Sequence, residues 1–311
     1  MVDPDELSKT VAKRRAEQAA RERTSPPDHV RLGPLVSTVM DGAHWRGQNA
    51  FPSSQLWSDE VERVFAFAEA RGQFSKYLPR LRGRWNQFDS ALAELRVAFY
   101  LDRNEFRVSG WEPAGARGVR GEGEFLVTGP SGVSTFVEVK SPGWEGELSD
   151  EEIMSGRKNQ PKHLYCEARA VGPWERVKFE VDKAYKKFTP ANPNLLVVAD
   201  DLFVSLAYGT DLQMAMALYE KRTNGCFSDS KYANLGAVGA FWTVNNGREI
   251  WYEMKLYVNL HALKSSAIPE DMRLAFEDRT TDSCAQGSSP FDDLNETPLQ
   301  KYLRDLSMWQ H

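Results

Sequence analysis

No stretch of this chain approaches about eighteen consecutive apolar residues, the run that a membrane-crossing helix requires, and none is expected to span a bilayer. Cysteine is scarce: there are 3, Cys166, Cys226 and Cys284, odd in number and widely spaced. That pattern excludes a disulfide framework and points to a reducing compartment. The first thirty residues are densely charged and lack the apolar stretch of a secretory signal, so a cytoplasmic protein is expected. No Gly-x-x-x-x-Gly-Lys-Ser/Thr loop is present, which argues against ATP-driven work by this chain alone. No nucleophile elbow supports a hydrolase triad, and no internal repeat is visible. An excess of basic charge is also missing: 39 Lys and Arg stand against 44 Asp and Glu, a formal net charge of −5. This weighs against a general nucleic-acid coat protein. It leaves open a nucleic-acid enzyme, which gathers carboxylates at a metal site and places its basic residues locally.

What is present is apolar material for one or two domains, 41% of 311 residues. Residues 1–24 read as a polar helical arm, ended by the proline-rich 25–28. Residues 35–57 are irregular. Ser58 is a candidate cap for a helix whose stripe is Val61, Val64, Phe65 and Ala68. Asp89 or Ser90 is a candidate cap for a second helix over 91–103, with Leu92, Leu95 and Phe99 at helical spacing. A strand over 105–112, a Gly/Arg loop over 115–123 and a hairpin of 124–129 with 134–140 follow. A polar insertion occupies 143–173, and an amphipathic helix spans 174–188. The apolar run 194–201 suits a strand buried on both faces, and further strands are expected over 236–244 and 249–258. The order implies an α/β protein with a mixed sheet between helices. The expected divisions are an arm, 1–30, a helical region, 31–87, a core, 88–262, and a polar tail, 263–311, with a short helix near 297–306.

The chemistry concentrates in the hairpin. Phe136, Glu138 and Lys140 share one face of the second hairpin strand, with Val137 and Val139 on the other. Glu124 opens the partner strand, which brings it near Lys140, with Glu138 about one pair further in. Glu94 lies on the preceding helix, flanking its apolar side. Carboxylates converging beside a lysine suit a hard cation such as Mg²⁺ or Mn²⁺, which takes oxygen ligands and keeps several waters.

With these residues the chain resembles the PD-(D/E)XK nuclease superfamily, the restriction-endonuclease-like fold. Glu124-Phe-Leu-Val followed by Glu138-Val-Lys140 looks like its bipartite motif, and Glu94 like its helical glutamate. The helix ending at 188 and the strand from 194 resemble its next two elements. The likeness covers about residues 88–200 and implies an αβββαβ core with an N-terminal helical extension and a helical insertion. It further implies metal-dependent hydrolysis of phosphodiesters, in DNA before RNA. Glu124, Glu138 and the Val139 carbonyl would hold the metal, Lys140 would be the catalytic lysine, and Glu94 an outer or bridging ligand. One departure stands out: the family's first motif residue is usually Asp, often after Pro, whereas here it is Glu124 after Gly123. Glu122 is a rival for that position.

Plainer readings stand beside this one. Without the surrounding elements, Glu138 and Lys140 would read as a solvated pair on an edge strand, worth about 0–1 kcal/mol. Arg117, Arg120, Lys158, Lys162 and the later helix's Lys183, Lys186 and Lys187 are candidate phosphate contacts, as is the basic-aromatic stretch 76–85, where solvated charges and core rings are the simpler account. His163 and Cys166 have helical spacing, but one such pair is a poor zinc signal. An inactive module that keeps the fold and binds nucleic acid or a protein is the competing function. Cutting both strands of a duplex would call for a homodimer.

Overall fold

A computed structural model describes residues 29–42, 54–83, 85–115, 118, 123–141, 173–199, 210–221 and 223–288. Residues 1–28 of the expected arm, most of the insertion and the helix near 297–306 lie outside these residues. The chain divides into two compact units, one of residues 1–100 with 243–252, the other of 101–242 with 253–311. No helix among the described residues is long and apolar enough to cross a membrane.

The first unit is helical, with α1 at Pro34–Gly42, α2 at Gln55–Ala70, α3 at Phe74–Leu81 and most of α4, Trp85–Arg103. Helix α2 starts three residues earlier than Ser58. Ser54 is its cap and accepts from the Trp57 amide, while Ser58 is buried and donates to the Arg31 carbonyl. The Glu62 carboxylate accepts from the amides of Leu35 and Val36 and so satisfies the first turn of α1, a helix not foreseen within the irregular segment. A Cβ at Gly33 would lie 2.2 Å from Glu62 Cδ, so only glycine lets that carboxylate approach. Helix α4 likewise starts before its expected caps. Ser90 lies inside it and donates to Glu94.

Helix α4 ends where Glu105 turns left-handed, φ 69°, and the Phe106 amide reaches back to the Leu101 carbonyl. The strands are β1, Arg107–Trp111, β2, Phe125–Thr128, β3, Ser134–Lys140, β4, Asn194–Ala199, β5, Ala237–Asn245, β6, Ile250–Val258, and β7, Glu277–Asp278. They form one seven-stranded mixed sheet in chain order. The pairs β1–β2 and β2–β3 are antiparallel, whereas β3–β4, β4–β5 and β6–β7 are parallel. Parallel neighbours need a crossover. Helix α5, Pro173–Ala184, with the 3-10 turn Tyr185–Lys187, links β3 to β4, and α6, Thr210–Leu218, lies between β4 and β5. Every residue of β4 is buried, as its uninterrupted apolar run implies. The segment expected as a polar tail supplies α7, Glu270–Ala275, strand β7 and α8, Thr280–Ser288. Among the described residues Cys226 and Cys284 form no disulfide, and burial pushes the Cys226 thiol up to about 11.

Asp211, in the first turn of α6, ties that helix to the last strands. It accepts from Tyr257 at 2.7 Å and from Arg279 at 2.9 and 3.2 Å, with Lys255 at 3.7 Å. Burial acts to raise its carboxyl, but the bonds from Arg279 and Tyr257 and the charge of Lys255 hold it below its ordinary 3.8. A depressed carboxylate stabilises the fold above its ordinary range and loses that contribution as pH falls through the folded value. Asp211→Ala is therefore expected to cost about 2 kcal/mol at pH 7. Urea titrations should show the deficit shrinking below about pH 4.

Candidate active site

Strand β3 is interior, with β2 on one side and β4 on the other, and Glu138 is fully buried. The edge-strand account of Glu138 and Lys140 is thereby excluded. Burying a carboxylate is costly unless charge and hydrogen bonds compensate it. Two ammonium groups do so here: Lys140 Nζ lies 2.5 Å and Lys187 Nζ 2.6 Å from the same oxygen, Oε1. The other oxygen, Oε2, is buried with no hydrogen-bond partner among the described residues.

The 3-10 turn after α5 brings Lys187 over the face of β3 that carries Phe136, Glu138 and Lys140. Its anchor is Phe188, whose ring meets that of Phe136 edge-on at 5.9 Å. Glu180, buried on α5, faces the same place. Burial acts to lower the Lys140 ammonium, but the charge and hydrogen bond of Glu138, then the charges of Glu124 and Glu180, raise it above its ordinary 10.5. Three carboxylates thus act on one lysine. Glu180 was not among the residues expected at the site, and Lys187, with Lys183 and Lys186, was expected only as a phosphate contact. A signal for Glu180 existed, since it falls at helical spacing on the stripe of Val177, Val181 and Ala184.

Phe125 pairs with Val137, two residues from the register that would set Glu124 opposite Lys140; Glu124 stands just beyond the paired residues, and its charge still acts on Lys140. Glu124 precedes β2, is half-buried, and is held by its amide on the Val137 carbonyl and its carbonyl on the Glu112 amide. Gly123 explains the departure before it: a Cβ there would lie 2.2 Å from Phe136 Cζ, a buried ring, so neither Pro nor any other side chain fits without repacking. Val139 is buried, paired with Val197 of β4.

Glu94 belongs to the first unit. It is buried, and both its oxygens are taken by Arg80, at 2.5 and 2.6 Å, with Ser90 also donating. Arg80 and the buried Tyr77 come from α3, within the stretch 76–85, and Arg82 donates to the Thr38 carbonyl. Part of that basic stretch therefore has structural partners. Lys183 is exposed, pairs with Glu180 at 3.0 Å and covers the Phe179 ring at 3.9 Å. Glu122, Arg117, Arg120, Lys158, Lys162, His163 and Cys166 lie outside the described residues.

No group of three His, Cys, Asp or Glu side chains forms a preformed metal cage among the described residues. The donor chemistry of Glu124, Glu138 and Glu180 is nonetheless all oxygen, as Mg²⁺ and Mn²⁺ prefer, and the bare Glu138 Oε2 is the kind of atom such an ion takes. Compared with protein families, with curated proteins and with solved structures, the chain finds no match.

Proposed function

We propose that this chain is a divalent-metal-dependent nuclease of the restriction-endonuclease-like fold, acting on DNA before RNA. The observation that carries the reading is a fully buried Glu138, on an interior strand, with one oxygen on two lysines and the other bare. Leaving a carboxylate oxygen buried and unsatisfied costs about 1–3 kcal/mol, a cost more readily retained at a binding site than in a purely structural core. Glu138 and Glu124 would hold Mg²⁺ or Mn²⁺, with the Val139 carbonyl as a further oxygen. Bound there, the ion would polarise a phosphoryl oxygen and lower the pKa of its water. Lys140 places a fixed positive charge where charge grows on the phosphate, and Glu180 and Glu124 help keep it charged. Glu94 is left out of the site because Arg80 engages both its oxygens.

The second reading is an inactive module that binds nucleic acid or a protein, favoured by the absence of a preformed cage among the described residues. Incubation of the protein with plasmid, linear and single-stranded DNA and with RNA, in Mg²⁺, Mn²⁺ or EDTA, separates the two. Cleavage that needs metal and is lost in Glu138→Ala is the expected result. No cleavage under any condition, together with a melting temperature that Mn²⁺ does not raise, would establish the inactive module.

A further inference from the structure

Glu138 Oε1 receives two ammonium groups where one would neutralise it. A divalent ion approaching the same buried carboxylate meets both at close range, where the burial of Glu138 weakens solvent screening of the repulsion. We propose that Lys187 is the exchangeable counter-ion of Glu138: it neutralises the carboxylate until a divalent cation takes it, and the released ammonium then binds a substrate phosphate. The inference rests on the metal-dependent reading above.

Two observations single out Lys187 over Lys140 as the group that leaves. Lys140 shares its strand and face with Glu138, two residues along β3, and the buried Glu180, which the proposed metal does not take, also acts on it. Lys187 hydrogen-bonds Glu138 alone among the described residues. It sits in a single 3-10 turn with its side chain 25% exposed, so its four-carbon stem can swing outward without unfolding an element. A freed ammonium beside the site is a point charge of the kind that recognises phosphate. Lys187 is thus a positioning residue toward the metal and a binding residue toward the substrate.

The test compares wild type, Lys187→Met and Lys187→Arg by Mn²⁺ titration of the melting temperature and by cleavage of a labelled DNA oligonucleotide. In Lys187→Met the Mn²⁺ concentration for half-saturation should fall about tenfold, since a competing cation is gone, while the DNA KM rises about tenfold and kcat at saturation changes little. Lys187→Arg should restore the KM. A substitution that merely loosened the fold would weaken metal and DNA alike. Mn²⁺ binding of unchanged or reduced strength in Lys187→Met overturns the counter-ion role while leaving the metal reading intact. If Mn²⁺ stabilises neither wild type nor Lys187→Met, the metal reading fails and this inference fails with it.

Discussion

Lys140→Met is expected to lower metal-dependent cleavage by about 10²–10³-fold, the loss typical of removing one preorganised electrostatic group from a transition state. Its melting temperature should stay within a few degrees of wild type, because Lys187 remains on Glu138 Oε1 at 2.6 Å. The sign of the lysine's titration bears on its role. Burial alone would favour the neutral amine, but Glu138, Glu124 and Glu180 together raise the group above 10.5. A raised lysine contributes its stability in full below the ordinary value and loses it only as pH climbs past that value towards the folded one. The stability difference between wild type and Lys140→Met should therefore be flat from pH 6 to 9 and shrink above about pH 10.5. Urea denaturation of both proteins across pH measures this, and single-turnover cleavage of an oligonucleotide measures the loss of rate. A Lys140→Met protein that cuts within threefold of wild type would remove Lys140 from the mechanism.

The largest stability effect is expected in the first unit, at Arg96→Met. Glu60 is 1% exposed on α2 and accepts from Arg96 Nε at 2.9 Å and Nη2 at 2.7 Å, with the Tyr252 hydroxyl on the same carboxylate. Arg96 itself is largely covered, so this pair lies away from the screening that makes surface pairs weak. Removing one partner of such a pair leaves an uncompensated buried charge, which costs about 3–5 kcal/mol. Replacing both by apolar groups is much less costly, so Arg96→Met/Glu60→Leu should recover most of the loss. Urea denaturation of the two single variants and the double variant forms the cycle that measures this. Additive losses would mean that the bidentate pair contributes nothing of its own.

Three buried glutamates stand at or beside apolar helix stripes. Glu60 falls among Val61, Val64 and Phe65, Glu94 among Ala91, Leu95 and Ala98, and Glu180 among Val177, Val181 and Ala184. Helical spacing sets each within or at the margin of its stripe, so their burial had a local signal, although Glu94 was read only as flanking the apolar side and Glu60 as part of a helix start. The partners of buried glutamates had no such signal. Arg80 and Arg96 lie 14 and 36 residues from Glu94 and Glu60, as Lys187 lies 49 from Glu138 on β3, and nothing in a local pattern chooses among many basic side chains. Cap positions were misjudged for a related reason. Ser58 and Ser90 have the right chemistry for a helix start, but tertiary contacts employ them inside the helices instead.

By itself the sequence determined the order of helix, three strands, helix and strand, the hairpin around Gly132, and the shared face of Phe136, Glu138 and Lys140. Each follows from short-range periodicity and turn chemistry, which operate within a few residues. Only the tertiary structure decided that β3 is interior, because strand order in a sheet depends on crossovers that pattern does not encode. That placement turned an unremarkable Glu-x-Lys into a fully buried carboxylate. The long-range return of the 3-10 turn then set a second lysine upon it, and the desolvation of Glu138 is the reason the pairing matters.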